Sequence, residues 1–210
     1  PAALASLLGE LPAAAPEPLP PTVVPALRAA ARARERAPML QAKVVLVLRA
    51  PVPGDVAAHC ALQAMLSLWG GGPHSRLFRE VRERRSLCYY ASAGGDVRKG
   101  VVLVQSGCEA AQVDAVVTES LLQLDELRAG RFADQELQTV VATITGALRA
   151  IDDSLQSRAQ FTAEQWLLGQ DQDPAARAAA YRAVSRDQVV AAARSLWLDH
   201  DYALLPEDGR

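Results

Sequence analysis

The run Ala42-Lys43-Val44-Val45-Leu46-Val47-Leu48-Arg49 is the strongest constraint on what this chain can fold into. It is rich in β-branched and aliphatic side chains and is bounded by Pro38 and Pro51. It therefore reads as a strand buried on both faces, or nearly so. Such a strand needs other elements packed against it, so the chain must form a layered core. With 210 residues it is long enough for one large domain. Half of those residues are hydrophobic but only 5% are aromatic, which predicts a core of Ala, Val and Leu.

The other elements follow in order. Asp55 caps a helix running to about Trp69, with Val56, Ala57, Cys60, Ala61, Ala64, Met65 and Leu68 at helical spacing. Gly70-Gly71-Gly72-Pro73 breaks it, and a short helix runs from His74 to about Arg84. Leu87 to Ala93 alternates like a strand, with Leu87, Tyr89 and Ala91 on one side and Cys88, Tyr90 and Ser92 on the other. Gly94-Gly95-Asp96 turns the chain, and Lys99 to Cys108 returns antiparallel. Val113, Val116, Val117, Leu121 and Leu124 form a helical stripe closed by Gly130. Leu137, Val140, Val141, Ile144, Leu148, Ile151 and Leu155 form a longer one. Asp173-Pro174 opens another helix, and Ser185 with Gln188 is a capping box for a helix ending near Trp197. Tyr202 to Leu205 is a closing strand. This order predicts an α+β fold, with helices gathered on one face of a largely antiparallel sheet.

Pro12, Pro16, Pro18, Pro20, Pro21 and Pro25 forbid helix near the start. Residues 1–25 read as a Pro-rich interdomain linker and 26–210 as a single domain. The chain begins at Pro1, and it reads as a piece of a longer protein.

Charge excludes some functions. The 22 Lys and Arg nearly balance the 24 Asp and Glu, so no basic field draws nucleic acid or an anionic membrane. Arg28, Arg32, Arg34 and Arg36 read as a solvated edge, and no stretch is apolar enough to span a bilayer. Cys60, Cys88 and Cys108 fit no disulfide or metal framework; they read as reduced, buried, inert thiols and predict a cytoplasmic setting. His59, His74 and His200 lack a ligand partner one helical turn away, so no metal site is expected. The chain has no Gly-x-Ser-x-Gly elbow, and no Lys follows the triple glycine to make a phosphate loop.

Residues 70–92 are more informative: Gly-Gly-Gly-Pro-His-Ser-Arg-Leu-Phe-Arg-Glu-Val-Arg-Glu-Arg-Arg-Ser-Leu-Cys-Tyr-Tyr-Ala-Ser. Here a glycine break, a basic helix and an aromatic strand follow closely. Arg82 and Tyr89 can present a guanidinium and a phenol to one spot, and both can donate to a carbonyl or an oxyanion. The alternative is that Arg82 pairs with Glu83 or Glu80 while Tyr89 only packs.

This segment resembles the C-terminal-half signature of the pitrilysin/insulinase zinc peptidases. Gly70, Gly71, Gly72, Ser75, Arg76, Leu77, Phe78, Arg82, Glu83, Leu87 and Tyr89 match that pattern. More loosely, Leu7 to Pro12 resembles the family's leading linker, Val184 to Val189 its late helix, and Tyr202 to Pro206 its closing strand. The resemblance implies a half of the pitrilysin/mitochondrial-processing-peptidase type, facing a related N-terminal-type domain across a peptide chamber. It implies zinc held by an inverted His-x-x-Glu-His motif on that other domain or on a catalytic partner chain, and none held here. Arg82 and Tyr89 would reach a peptide substrate and help hold the tetrahedral intermediate. Ser86 and Cys88 depart from the pattern, standing where active members commonly carry Gly and Ala. With Pro73-His74 and Tyr89-Tyr90 they resemble the inactive partner of bacterial two-chain pairs. A pure scaffold or interaction domain with no proteolytic role is the alternative.

Overall fold

The computed structural model describes residues 29–167 and 169–207. The linker read over residues 1–25, the Leu7–Pro12 likeness and Arg28 lie outside the described residues. Five strands form one sheet: β1 (Ala31–Ala37), β2 (Ala42–Arg49), β3 (Tyr90–Asp96), β4 (Val101–Cys108) and β5 (Trp197–Pro206). Their spatial order is β1-β5-β2-β4-β3. All neighbours are antiparallel except β1, which runs parallel to β5. The helices are α1 (Val56–Gly70), α2 (Val113–Arg128), α3 (Asp134–Arg149), α4 (Leu155–Leu167), α5 (Pro174–Arg182) and α6 (Arg186–Arg194). A wider, π-helical segment occupies Leu77–Arg84. Among the described residues no helix is long and apolar enough to cross a membrane. This is the α+β arrangement expected, with a mostly antiparallel sheet.

Local chemistry explains where the helices start. Asp55 Oδ1 accepts from the Ala58 N–H at 2.7 Å, and Asp173 Oδ1 accepts from Ala176 at 2.7 Å with Pro174 at the first helical position. Ser185 and Gln188 cap each other reciprocally. α1 is buried nearly all round, and Trp69 is its largest anchor, donating Nε1–H to the Ser120 carbonyl at 3.2 Å.

Five expectations need correction. β2 is not buried on both faces: Ala42, Val44, Leu46 and Leu48 are covered by helices, while Lys43, Val45, Val47 and Arg49 are half-buried on the other side. The residues 94–96 do not turn but continue β3; a Cβ on Gly95 would lie 2.1 Å from the Val101 carbonyl oxygen, so glycine lets β4 approach. The turn comes at 97–100 and closes with Gly100 at φ 61°. The long stripe from Leu137 to Leu155 is two helices, broken by a 3₁₀ turn over Ala150–Asp153. Trp197 starts the closing strand rather than ending a helix. Finally, Arg32, Arg34 and Arg36 do sit at an edge, but as part of β1, where Arg34 Nη2 donates to Asp201 Oδ2 of β5 at 2.8 Å.

Candidate functional site

The segment linking α1 to β3 is placed by close backbone contact. Gly70 ends α1 with β3 laid directly on it, and a Cβ there would stand 2.2 Å from the Ala93 nitrogen. Gly71 donates its N–H to Ser67, and Gly72 carries the bend at φ 151°. Ser75 is buried and its hydroxyl accepts from the Phe78 N–H at 3.4 Å. The π segment then sinks Leu77 and Val81, both fully buried, into the core. Each apolar anchor of this size contributes about 1.5–3 kcal/mol.

A polar chain fixes the same segment to the helical layer. Arg85 at its end pairs with Glu119 of α2 at 3.1 Å, and Glu119 accepts from Gln123 at 2.8 Å. Arg76 at its start donates to Gln123 at 3.3 Å and to Glu136 of α3 at 3.4 Å, and Arg79 reaches Glu136 at 3.0 Å. Burial alone would push the Glu136 carboxyl up, but the Ala133 N–H with Arg76 and Arg79 outweighs it and holds it below the usual carboxylate range. Arg76 matched the sequence motif, yet its bracing role depends on α2 and α3, which the motif does not contain.

Arg82 and Tyr89 come together on one cleft. It has a volume of ≈ 520 Å³ and is lined by both of them with Glu83, Ser86, Cys88 and Glu109 among others. Arg82 lies over the Phe78 ring at 4.6 Å and approaches Glu83 only to 3.9 Å. Tyr89 is 51% exposed, its N–H bonds the Gly107 carbonyl at 2.8 Å, and its phenol donates to Glu109. That bond, together with the carboxylate's charge, pushes the Tyr89 phenol above its ordinary value. Glu109, just beyond β4, has no signal in the sequence that ties it to Tyr89; only the β3–β4 register brings it there. Tyr89 itself precedes β3, which starts at Tyr90 rather than at Leu87.

Ser86 turns the chain between the π segment and β3 at φ 51°, among the described residues the one non-glycine with positive φ. The left-handed conformation costs a side-chain-bearing residue about 1–2 kcal/mol, a cost glycine would not incur. Cys88 is half-buried on the cleft, not in the core as expected. Burial pushes its thiol up, against the pull of Ser106 and Arg82, while burial, Cys88 and Glu109 raise Cys108 to about 11. Both thiols stay protonated near neutral pH and are poor nucleophiles. His59 is buried in α1, whereas His74 and His200 are exposed. Among the described residues no group of three or more His, Cys, Asp or Glu side chains could hold a metal ion. The cleft offers hydrogen-bond donors and two carboxylates, Glu83 and Glu109.

Residues 2–144 match the family described as the peptidase M16 inactive domain. Over 149 residues the chain is 28% identical to the "Probable inactive metalloprotease YmfF" of Bacillus subtilis (strain 168), covering 71% of this chain and 35% of that protein. A conserved protein from Enterococcus faecalis V583 superposes with a TM-score of 0.83 at 25% identity, over 89% of this chain and 44% of that one. The peptidase M16 inactive domain from Pseudomonas fluorescens has the same fold, with a TM-score of 0.72 at 16% identity over 86% of this chain and 45% of that one. The chain thus spans less than half the length of these relatives. With more than half of its sequence inside the family match, and its fold shared with M16 structures, the chain belongs to the peptidase M16 inactive-domain family, the C-terminal-type half of pitrilysin-like peptidases.

Proposed function

We propose that this domain is the non-catalytic half of a zinc-dependent endopeptidase and forms one wall of its peptide chamber. The zinc sits on an N-terminal-type domain of the same parent protein or on a catalytic partner chain, in a cytoplasmic setting that suits three free thiols. Zinc bound there would supply polarisation of the scissile carbonyl and activation of water. This chain's residues bind and orient: Arg82 and Tyr89 donate to the peptide carbonyl as negative charge develops on it. The reading is carried by one observation, that the guanidinium and the phenol line the same cleft.

One fact favours the scaffold alternative. Both side chains already have partners, Tyr89 in Glu109 and Arg82 in the Phe78 ring. A substrate carbonyl must displace or share them. The test is peptide turnover by this chain mixed with a zinc-bearing M16 partner. Arg82→Ala and Tyr89→Phe are expected to lower kcat by about 10²-fold with little change in KM, as for loss of one oxyanion donor. Unchanged kcat in both variants rejects the contact role and leaves the scaffold.

A further inference from the structure

A second cavity lies on the helical side of the molecule, bounded by α1, α3, α4 and α5, and shares no lining residue with the Arg82–Tyr89 cleft. Its volume is ≈ 470 Å³. One part of its lining is apolar, including Ile144, Leu148, Ile151 and Phe161. The other part is polar and deeply placed: His59 is 5% exposed and Arg177 3%.

Arg177 is the unusual feature. A guanidinium removed from water is ordinarily matched by a carboxylate, because a buried unpaired charge is costly. Among the described residues Arg177 forms no ion pair; its hydrogen-bond partners are neutral, three glutamine amide oxygens and the Cys60 thiol. Its Nε donates to Gln172 at 3.0 Å, and its Nη2 donates to Gln165 and Gln170. Glu164 lines the same cavity but forms no ion pair with Arg177, and it lies in the field of Arg98. His59 adds an independent sign, since its buried Nδ1 has no hydrogen-bond partner among the described residues. The site thus holds a fixed positive charge, an unsatisfied imidazole nitrogen and an apolar wall. Inorganic phosphate would use the charge but leave the apolar wall uncovered.

We propose that this cavity binds a carboxylate carried on a short apolar body, with the anion on Arg177 and His59 and the body against Ile144, Leu148, Ile151 and Phe161. Such a carboxylate can be a free small acid or the C-terminus of an apolar peptide. The site is separate from the proposed peptide-chamber role and stands whether or not Arg82 acts on substrate.

Calorimetric titration of the full chain tests it with hexanoate, hexanamide and acetate, and with an apolar hexapeptide as free acid and as C-terminal amide. At least one carboxylate is expected to bind tenfold or more tightly than its amide, and acetate at least tenfold more weakly than hexanoate. Which acid wins separates the free acid from the peptide terminus. Arg177→Gln is expected to erase the preference for acid over amide. Should that variant not fold, Ala147→Trp, placed at an exposed lining position, is expected to block binding while leaving the polar cluster intact. Equal affinity for acid and amide in both pairs, or carboxylate binding untouched by Ala147→Trp, overturns the proposal.

Discussion

The two faces of β2 share one backbone and an apolar middle, but Lys43 and Arg49 flank Val45 and Val47 on one face only, and their surroundings differ. Ala42, Val44, Leu46 and Leu48 are at most 1% exposed beneath the helices, while Val45 and Val47, equally apolar, are only half-covered. The same asymmetry continues on β4, with Val102 and Val104 buried and Val101 and Leu103 half-buried. Apolar character therefore does not say which face is covered. What decides it is where the described helices and the π segment find room, and these pack against one side. The other face keeps apolar side chains that no described element covers completely.

Mutations can break this contrast if it is wrong. The largest effect is expected from Leu46→Ala, which should lose about 2–5 kcal/mol, against about 1 kcal/mol for Val47→Ala on the opposite face. Urea unfolding of both variants measures the gap, and equal losses would mean the open face is covered after all. Next comes acidity on the covered side. Burial first, then Arg177 and Arg98, push the His59 imidazole down to about 4 from 6.5. The unfolded chain then takes up a proton that the folded chain refuses, so stability is full above pH 6.5 and falls as pH drops toward about 4. His59→Gln should flatten that stretch of the urea-midpoint profile relative to wild type. If the two profiles run parallel, His59 is more open to water than its packing implies. The smallest effect is at the rim between the faces: Ser86→Gly should raise stability by about 1 kcal/mol by relieving the left-handed backbone, read as a shift in Tm.

Features fixed within a few residues were legible in the sequence. Asp55, Asp173 with Pro174, and Ser185 with Gln188 mark helix starts through bonds that close within three residues. Arg82 and Tyr89 lie seven residues apart across one turn, and a single short motif brings them to one cleft. Features fixed by distant partners were not legible. β1 pairs with residues 200–206, and apart from Glu35 its sequence alternates Ala with Arg, a period suited to a strand but written in residues with little intrinsic strand preference. Gly94 and Gly95 looked like a turn because glycine permits one; here Gly95 serves the close approach of β4 instead. Glu109 and the Arg85–Glu119–Gln123–Arg76 brace were hidden for the same reason, since each bond crosses between elements.

The strand order carries a consequence for how the domain is made. β1 and β2 are joined by only residues 38–41, yet β5 lies between them. They behave as a hairpin opened wide enough to admit a third ribbon, across a gap of about 10 Å. Until residues 197–206 emerge from the ribosome, β2 keeps one unpaired edge, and β1, whose described ladder is with β5 alone, has no strand to pair with. Completion of the described sheet thus waits for β5 to be translated, and a truncation that removes this strand would leave an exposed, adhesive β2 edge and an unpartnered β1 rather than a smaller stable domain.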